Sequence, residues 1–282
     1  MLPRLRKLFL YLIVLLIVVW TIAPFLWLII SSFSYQIDLL SIPLQWIPKR
    51  ITLDNYQQLF LYKGNFNVNA ALFTSSITNS MVIAFTTTLL AIVLGVLAAY
   101  ALARVKFPGS NYYMIFMMGA QMIPPIAIVI PLYVILRKLG LYDTRWGIIL
   151  VYQSFVLPLV IWLMQSYFAT IPSEIEDAAR IDGCNRIQAL VRVILPLSGP
   201  GLVSVIVFAF IASWNEYLYA FIYSSVDAKT LPVLIGEFST KLGLEYLKIA
   251  AAGVLASLPP IILALIFQKY LIKGLTAGAV KG

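Results

Sequence analysis

The sequence predicts an all-α membrane protein with six transmembrane helices and with both termini in the cytoplasm. Of its 282 residues 62% are hydrophobic and 11% are charged, and the mean hydropathy is +0.95, which excludes an ordinary water-soluble globule. A spanning helix needs about 20 mainly apolar residues. Six segments meet that length, and they are 8–32, 75–103, 112–136, 147–168, 201–223 and 249–268.

The first segment determines the predicted orientation. It is longer than the core of about 7 to 15 residues that a signal peptide has, and no Ala-x-Ala cleavage pattern follows it, so we expect it to remain as an anchor. Arg4, Arg6 and Lys7 lie at one end of it, whereas the next charge beyond it is Asp38. Because basic residues favour the cytoplasmic side, the N-terminus is predicted to lie inside.

This orientation organises the rest of the chain, which we predict to be one transmembrane domain, 1–282. The loop 33–74 would then lie outside, while the polar segment 171–196 and the tail 269–282 would lie in the cytoplasm. The net charge of +9 is spread over helix ends and is not gathered on one face. No nucleic-acid partner is therefore expected.

Prolines lie inside the third, fourth and sixth of these segments. A proline removes a backbone donor and bends or breaks a helix, so we expect joints in the third, fourth and sixth segments. The residues concerned are Pro124, Pro125 and Pro131, then Pro158, then Pro259 and Pro260.

The residue types that most catalytic sites need are missing from this chain. It has no histidine and one cysteine, Cys184, which excludes an intrachain disulfide, a histidine-based triad and a histidine or multi-cysteine metal site. The Gly-x-x-x-x-Gly-Lys-Ser/Thr pattern of nucleotide-binding loops is also absent. We therefore predict no catalytic residue, bound cofactor or metal, and no ATP hydrolysis by the chain itself.

A few polar side chains fall inside the apolar segments. Glu216 and its neighbour Asn215 lie toward the outer end of the fifth segment, where Glu216 would be either an interfacial anchor or a gating or substrate contact. Gln121 and Gln153 would either line a path or form hydrogen bonds between helices. These four residues are the candidates for a gate or pathway.

The polar segment 171–196 is predicted to begin with a short helix that ends near Asp182. Ser173 followed by Glu176 fits a capping box, and Gly183 is suited to the left-handed conformation that ends a helix. One face of this helix is low enough for the backbone of another protein to approach closely. It consists of Ile175, Ala178 and Ala179.

A second short helix would start at Asn185, with Gln188 at the capping-box position, and end at Pro196. Its apolar residues have helical spacing and can face the membrane, with Arg186 and Arg192 in water or among phospholipid headgroups. The apolar residues are Ile187, Leu190, Val191 and Ile194. The alternative is that the whole segment is an ordinary amphipathic linker on the membrane surface.

The spacing in this segment resembles the EAA loop of permeases of ATP-binding-cassette (ABC) importers. The pattern of that loop is Glu-Ala-Ala, three residues, Gly, nine residues, then Ile-x-Leu-Pro. This chain fits every spacing, with Asp for Glu and Val for Ile as conservative departures. The matching residues are Asp177, Ala178, Ala179, Gly183, Val193, Leu195 and Pro196.

Two further stretches, SWNEYLYA to TLPV at 213–233 and GLTAGAVKG at 274–282, are similar to the carbohydrate branch of that family, of the maltose-transporter type. The resemblance implies a type I ABC importer permease fold and the import of a disaccharide or related glycoside by alternating access. Glycerol phosphate or another polyol is the alternative substrate class.

The resemblance also implies a set of partners in the inner membrane of a prokaryote. They are a second permease subunit in a heterodimer, two copies of an ABC ATPase that carry the ATP and Mg, and an extracytoplasmic solute-binding protein. The binding protein would meet the outer loops around 38–69 and 227–248, and the lipid bilayer would surround the spans.

By the same resemblance, the first short helix is a coupling helix that docks in a cleft of the ATPase. The residues carried over to that contact are Glu176, Asp177, Ala178, Ala179, Asp182, Gly183, Leu195 and Pro196, and the tail residues Lys281 and Gly282 would also reach the ATPase. A membrane-embedded enzyme or scaffold is the alternative from another class. Its carboxylates would be Glu216 with Glu237 or Glu245.

Overall fold

The computed structural model describes residues 2–39, 41–43, 45–60, 68–105, 107–240 and 243–279. Across these residues the chain is helical apart from turns and one pair of two-residue strands, in agreement with the predicted all-α class. The helices are α1 (Leu2–Ser32), α2 (Gln36–Leu39), α3 (Asp54–Phe60), α4 (Val68–Arg104), α5 (Ser110–Ala120), α6 (Pro125–Lys138), α7 (Arg145–Thr170), α8 (Ser173–Ile181), α9 (Arg186–Ala189), α10 (Leu195–Leu197), α11 (Gly199–Trp214), α12 (Leu218–Tyr223), α13 (Leu231–Glu237) and α14 (Tyr246–Ala279). A π-helical segment, Leu190–Ile194, lies between α9 and α10, and β1 (Ser239–Thr240) pairs antiparallel with β2 (Gly243–Leu244).

Four helices are long and apolar enough to cross a membrane. They cover Arg6–Ser32, Ala70–Arg104, Arg145–Thr170 and Tyr246–Ile272. Two pairs of shorter helices meet the same test only when each pair is taken together: α5 with α6, bent by 89°, and Arg186–Leu197 with α11, bent by 85°. The described residues thus contain four candidate spans, or up to six if each bent pair is one span.

The third predicted segment, 112–136, is broken in the middle. Pro124 is the N-cap residue of α6 and has φ −56° and ψ 129°. This extended backbone is what a residue before proline adopts, since the Pro125 ring disfavours the helical conformation there. The predicted joint is confirmed at this point, whereas the helices continue through Pro158, Pro259 and Pro260.

The fifth predicted segment, 201–223, is also divided. Helix α11 ends at Trp214 and α12 begins at Leu218. Between them lie Asn215, Glu216 and Tyr217, which are therefore not in the middle of a continuous helix. Glu216, one of the candidate gate residues, thus lies just before the start of α12.

The chain divides into two compact units, residues 1–74 with 234–258 and residues 75–233 with 259–282. In the first unit, α3 covers the end of α1, because Asn55 Nδ2 donates to the carbonyls of Ser32 and Ser34 over 2.9 and 3.0 Å. The Ser32 carbonyl is one of the last carbonyls of α1, which have no partner within the helix. The expectation of a single transmembrane domain stays a prediction.

In the second unit, two glycines let α7 approach its neighbours closely. A Cβ added to Gly95 on α4 would lie 2.6 Å from Val160 Cγ1, and one added to Gly201 on α11 would lie 2.5 Å from the ring of Tyr167. In lipid, helices are held together mainly by close packing and hydrogen bonds, since lipid tails are as apolar as leucine. Small residues at these crossings are therefore what positions α4, α7 and α11.

Candidate functional site

The segment 171–196 begins with α8, which follows α7 after a two-residue connection. Pro172 is its N-cap residue, and no side chain caps the helix. Ser173 is already the first helical residue, so the predicted capping box of Ser173 and Glu176 is wrong. The Glu176 side chain is directed toward α4 instead.

Glu176 lies in a buried polar cluster with Tyr100 and Arg104 of α4. Only 7% of Glu176 is exposed. The Tyr100 hydroxyl donates to Glu176 Oε1 over 2.5 Å, and Glu176 Oε2 is 3.5 Å from Arg104 Nε. The second distance is that of an ion pair and is longer than a good hydrogen bond. Glu176 therefore does not lie on the exposed face of α8, although the resemblance implies that it contacts the ATPase.

Arg104 connects this cluster to the end of α7. Its Nη2 donates to the carbonyl oxygens of Phe168 and Ile171, over 3.0 and 2.5 Å. The last carbonyls of a helix have no partner within the helix and carry partial negative charge, so a guanidinium is favourable there. One side chain of α4 therefore contacts both α7 and α8.

Other residues form the exposed face of α8. Ile175, Ala178 and Ile181 follow at i, i+3 and i+6, and Ile181 is 86% exposed. Ala179 is buried, which corrects the predicted face of Ile175, Ala178 and Ala179. Sequence reasoning missed Ile181, although its spacing from Ala178 was a usable signal. The exposed acidic neighbours of this face are Glu174, Asp177 and Asp182.

Gly183 ends α8 as predicted. Its φ is +90°, a left-handed conformation that costs glycine little. The Cys184 N–H donates to the Ala179 carbonyl over 3.0 Å and the Gly183 N–H to the Arg180 carbonyl over 3.1 Å. This pair of bonds is the Schellman motif, and it confirms Gly183 as the turn between the two short helices.

The second short helix is confirmed at its start and corrected in its interior. The Asn185 side chain accepts from the Gln188 N–H, and the Gln188 side chain accepts from the Asn185 N–H, each over 2.9 Å. Beyond α9 the chain widens into the π-helical segment, so the four apolar residues do not form one stripe. Leu190 and Ile194 are buried, whereas Ile187 and Val191 are exposed.

Two residues carried over from the resemblance lie at the end of this second helix. Leu195 is half-buried and packs against the apolar core of the second unit, whereas Pro196 is exposed. Of the residues predicted to dock, the exposed ones are therefore Asp177, Ala178, Asp182, Gly183 and Pro196.

Glu216 caps the start of α12. Its carboxylate accepts the backbone N–H of Tyr219 over 2.8 Å and that of Ala220 over 3.1 Å. These donors belong to the first turn of a helix, where they have no partner within the helix. The contacts support the anchoring interpretation of Glu216, whereas a gating role for Glu216 or for the exposed Asn215 stays a prediction.

Gln121 and Gln153 both form hydrogen bonds between segments. Gln121 Nε2 donates to the Ser154 carbonyl over 2.8 Å, and Gln153 Nε2 donates to the Thr87 carbonyl over 3.0 Å. Gln121 therefore connects the break between α5 and α6 to α7, and Gln153 connects α7 to α4. A place in a pathway stays a prediction for both.

A second polar cluster, which sequence reasoning missed, holds the loop 224–228. Asp143, between α6 and α7, accepts four backbone N–H groups with its carboxylate, at 2.8 to 3.2 Å, and its own N–H donates to the Tyr223 carbonyl over 3.0 Å. Its φ of 55° is unusual for a residue with a side chain. The four donors are Ser225, Val226, Asp227 and Ala228.

The same loop is fastened to α4 from the other side. Asn79 Nδ2 donates to the carbonyls of Asp227 and Lys229 over 2.8 and 2.9 Å, and its Oδ1 accepts from Arg145 Nε over 2.7 Å. Ser80 Oγ accepts the Leu231 N–H over 2.8 Å. Side chains from α4 and from the start of α7 thus determine the path of this loop.

The other residues considered for a site are two carboxylates, Glu237 and Glu245, and the two tail residues. Glu245 pairs with Lys248 at 2.9 Å, one turn away on the same face, and Glu237 ends α13. Lys281 and Gly282 fall outside the described residues. Within the described part of the chain, no group of three or more His, Cys, Asp or Glu side chains is gathered in a way that could hold a metal ion.

Residues 91–277 match the family described as "Binding-protein-dependent transport system inner membrane component". Among individual relatives, the trehalose transport system permease protein SugB of Mycobacterium tuberculosis is 39% identical and covers 95% of both chains. The trehalose/maltose transport system permease protein MalG of Thermococcus litoralis is 37% identical over 92% of this chain and 91% of its own.

A solved structure has the same fold. It is that of a bacterial ABC transporter involved in the import of the acidic polysaccharide alginate, and one of its chains superimposes with a TM-score of 0.76. The match covers 95% of this chain and 96% of that chain at 23% sequence identity. This chain thus shares its fold with a chain of a bacterial ABC transporter.

Proposed function

This chain belongs to the family of binding-protein-dependent transport system inner membrane components, and from this premise we propose that it forms half of the translocation pathway of an ATP-driven importer. It is a sugar ABC transporter permease and a multi-pass membrane protein. It is a transport subunit and not an enzyme, which removes the alternative based on Glu216 with Glu237 or Glu245.

The proposed topology has six spans with both termini in the cytoplasm of a prokaryote, in its inner membrane. Helices α5 and α6 then form the third span, and α11 with α12 forms the fifth. The basic residues before the first apolar segment support this orientation. It assigns α8 to the cytoplasm and the loop 224–228 to the outer side.

The observation that carries the coupling proposal is the exposed face of α8. Ile175, Ala178 and Ile181 present apolar surface in a segment that the topology assigns to water, and acidic residues surround it. An apolar patch with a polar rim is typical of a protein–protein contact. We therefore assign this face to docking on a cytoplasmic ATPase subunit, with Asp177, Asp182 and Gly183 at its edge.

The remaining partners belong to the same proposal. A second permease subunit completes a heterodimer, and two ATPase subunits bind the ATP and Mg, while this chain binds no cofactor. An extracytoplasmic binding protein delivers the solute to the outer loops, and the tail residues Lys281 and Gly282 reach the ATPase. Closure of the ATPase dimer moves the two permeases between inward-open and outward-open states by differential binding to those states.

The proposed substrate is a disaccharide or related glycoside. Support comes from the two relatives, whose names state trehalose and trehalose/maltose transport. Both relatives match over more than nine-tenths of this chain. Neither of these two names mentions glycerol phosphate or another polyol.

Replacement of Ile181 by serine tests the docking surface. We expect the amount of ATPase that co-purifies with the permease to fall about tenfold or more, as for a residue at the centre of a contact. Uptake of labelled trehalose and maltose by reconstituted transporter should fall in parallel, whereas glycerol phosphate should not be taken up by the wild type.

The matched control is Ile187→Ser, which makes the same change at another exposed isoleucine, on α9. It should leave co-purification unchanged. Gly183→Leu provides a second variant, because there is open space around Gly183 and only its left-handed backbone opposes a side chain. Normal ATPase association in both Ile181→Ser and Gly183→Leu would contradict the proposed docking surface.

A further inference from the structure

We propose that Glu176 is a positioning residue that fastens α8 to α4 and α7, and that it is not itself a docking contact. This inference rests on the proposed function, since it concerns how a movement of α8 reaches the membrane helices. The resemblance instead implies that Glu176 pairs with the ATPase. The positioning role is supported by the contacts that Glu176 forms within this chain.

Both carboxylate oxygens of Glu176 are engaged inside this chain. Tyr100 donates to one of them, and Arg104 faces the other. The Glu176 side chain is about 10% exposed and that of Arg104 about 11%. A buried charge that has lost one partner is strongly unfavourable, so Glu176 cannot turn outward to an ATPase without breaking this cluster.

The cluster joins three helices through one guanidinium. Arg104 lies at the end of α4, contacts Glu176 of α8, and donates to the carbonyls of Phe168 and Ile171 at the end of α7. An arginine can do this because its planar group presents several donors in fixed directions, whereas lysine has a single charged centre. Displacement of α8 therefore acts directly on two long helices.

The backbone on either side of α8 explains why such a connection is needed. Only Ile171 and Pro172 separate α8 from α7, and Gly183 follows α8 in a left-handed turn with open space around it. Ile171 packs against the apolar core of the second unit, whereas Pro172 and Gly183 are exposed. Without the cluster, a pull on α8 could be absorbed by rotation at these two ends, and the ATPase would work without moving α4 and α7.

The test uses the complete transporter reconstituted in liposomes, with uptake per ATP hydrolysed as the readout. In Glu176→Gln and in Tyr100→Phe we expect this ratio to fall about tenfold, within the range of about 5- to 150-fold that is typical of coupling between sites. The ATPase should still co-purify at the wild-type level. Tyr100→Phe keeps the ring that packs against Phe168 and so preserves folding.

A double variant and a matched control make the test specific. Because both residues act through one contact, Tyr100→Phe combined with Glu176→Gln should be no worse than Glu176→Gln alone. Arg192→Gln removes a charge from an exposed position outside the docking face and should leave the ratio unchanged. An unchanged ratio in Glu176→Gln, or losses that add in the double variant, would overturn the inference.

The outcomes also separate this inference from the proposed function. Loss of ATPase association in Glu176→Gln would make Glu176 a docking contact, which refutes the positioning role and leaves the docking proposal intact. Failure of the wild-type chain to support any ATP-dependent uptake with its partners would instead refute the proposed function.

Discussion

At the scale of single residues, Asp143 shows how one carboxylate can shape a whole loop. Burial raises the pKa of Asp143. The four backbone N–H groups that bind its carboxylate lower the pKa by more than burial raises it, so the pKa lies below the usual range. These groups belong to Ser225, Val226, Ala228 and Asp227. The carboxylate is therefore charged in the folded protein at neutral pH. The loop depends on that charge, because N–H donors bind an ionised oxygen more strongly than a neutral one.

We predict that Asp143→Asn loosens the loop 224–228 at neutral pH. Hydrogen–deuterium exchange of the amides at 225–228 should become about tenfold faster, since hydrogen bonds to a charged group contribute about 1.5–3 kcal/mol. Asp227→Asn removes a neighbouring carboxylate but keeps the one that accepts these bonds, and it should exchange like the wild type. Unchanged protection in Asp143→Asn would contradict this role.

The direction of the shift also predicts a pH dependence for the wild type. Because the folded pKa is lowered, the stabilisation is complete above the unfolded carboxyl pKa of about 3.9 and is lost as the pH falls through the lower folded value. Protection of the loop should thus be constant between about pH 5 and 8 and decrease only in strong acid. Asp143→Asn should lack that acid transition.

Residues differ in how well their roles can be predicted from the sequence. Gly183 was predicted correctly because a left-handed helix end is a local requirement, which shows in the residue type itself. Glu176 was not, because its partner Tyr100 lies 76 positions away and a local capping pattern competed with it. Asp143 carries no local pattern, since its donors lie more than 80 positions later.

At the scale of helices, the close crossing of α4 and α7 is the contact on which the rest of the second unit is arranged. We predict that Gly95→Leu, which would overlap Val160 and Leu157, destabilises the protein by about 1–3 kcal/mol, the usual cost of overpacking. Thermal unfolding in detergent should show a lower midpoint, with loss of uptake at a given temperature.

Gly119→Leu is the control for this prediction, because Gly119 on α5 has no neighbouring atom within 4 Å that an added Cβ would meet. It should unfold at or near the wild-type midpoint. Equal midpoints for Gly95→Leu and the wild type would show that the crossing of α4 and α7 tolerates a larger separation.

The apolar lengths predicted the position of the helices well but not their continuity. A run such as 112–136 has the composition of one span, yet two adjacent prolines divide it into α5 and α6. The π-helical segment was unpredictable for another reason. Its wider turn places Leu190 and Ile194 in the core, and that requirement comes from α4, α7 and α11 and not from the local sequence.

At the scale of the whole molecule, the six-span topology can be tested with the natural cysteine. Cys184 is the one cysteine in the chain and follows α8, so an impermeant maleimide should label it only after the cells are permeabilised. In a Cys184→Ser background, Ser225→Cys places a thiol on the exposed outer loop. That thiol should react in intact cells.

The opposite labelling pattern would invert the proposed orientation, and labelling of both positions from one side would change the number of spans between them. Each thiol should react in permeabilised cells that carry the protein containing it, since Cys184 is partly accessible and Ser225 is exposed. A Cys184→Ser protein without a new cysteine gives the background.

The hydrogen bonds between Asp143 and the loop 224–228 have a consequence for the evolution of such transporters. Asp143 recognises only main-chain N–H groups, which all residues except proline possess. The outward side chains at 225–227 can therefore be exchanged while the loop keeps its shape. Point substitutions at these positions can in this way adapt the surface to a different solute-binding protein, with the rest of the permease unchanged.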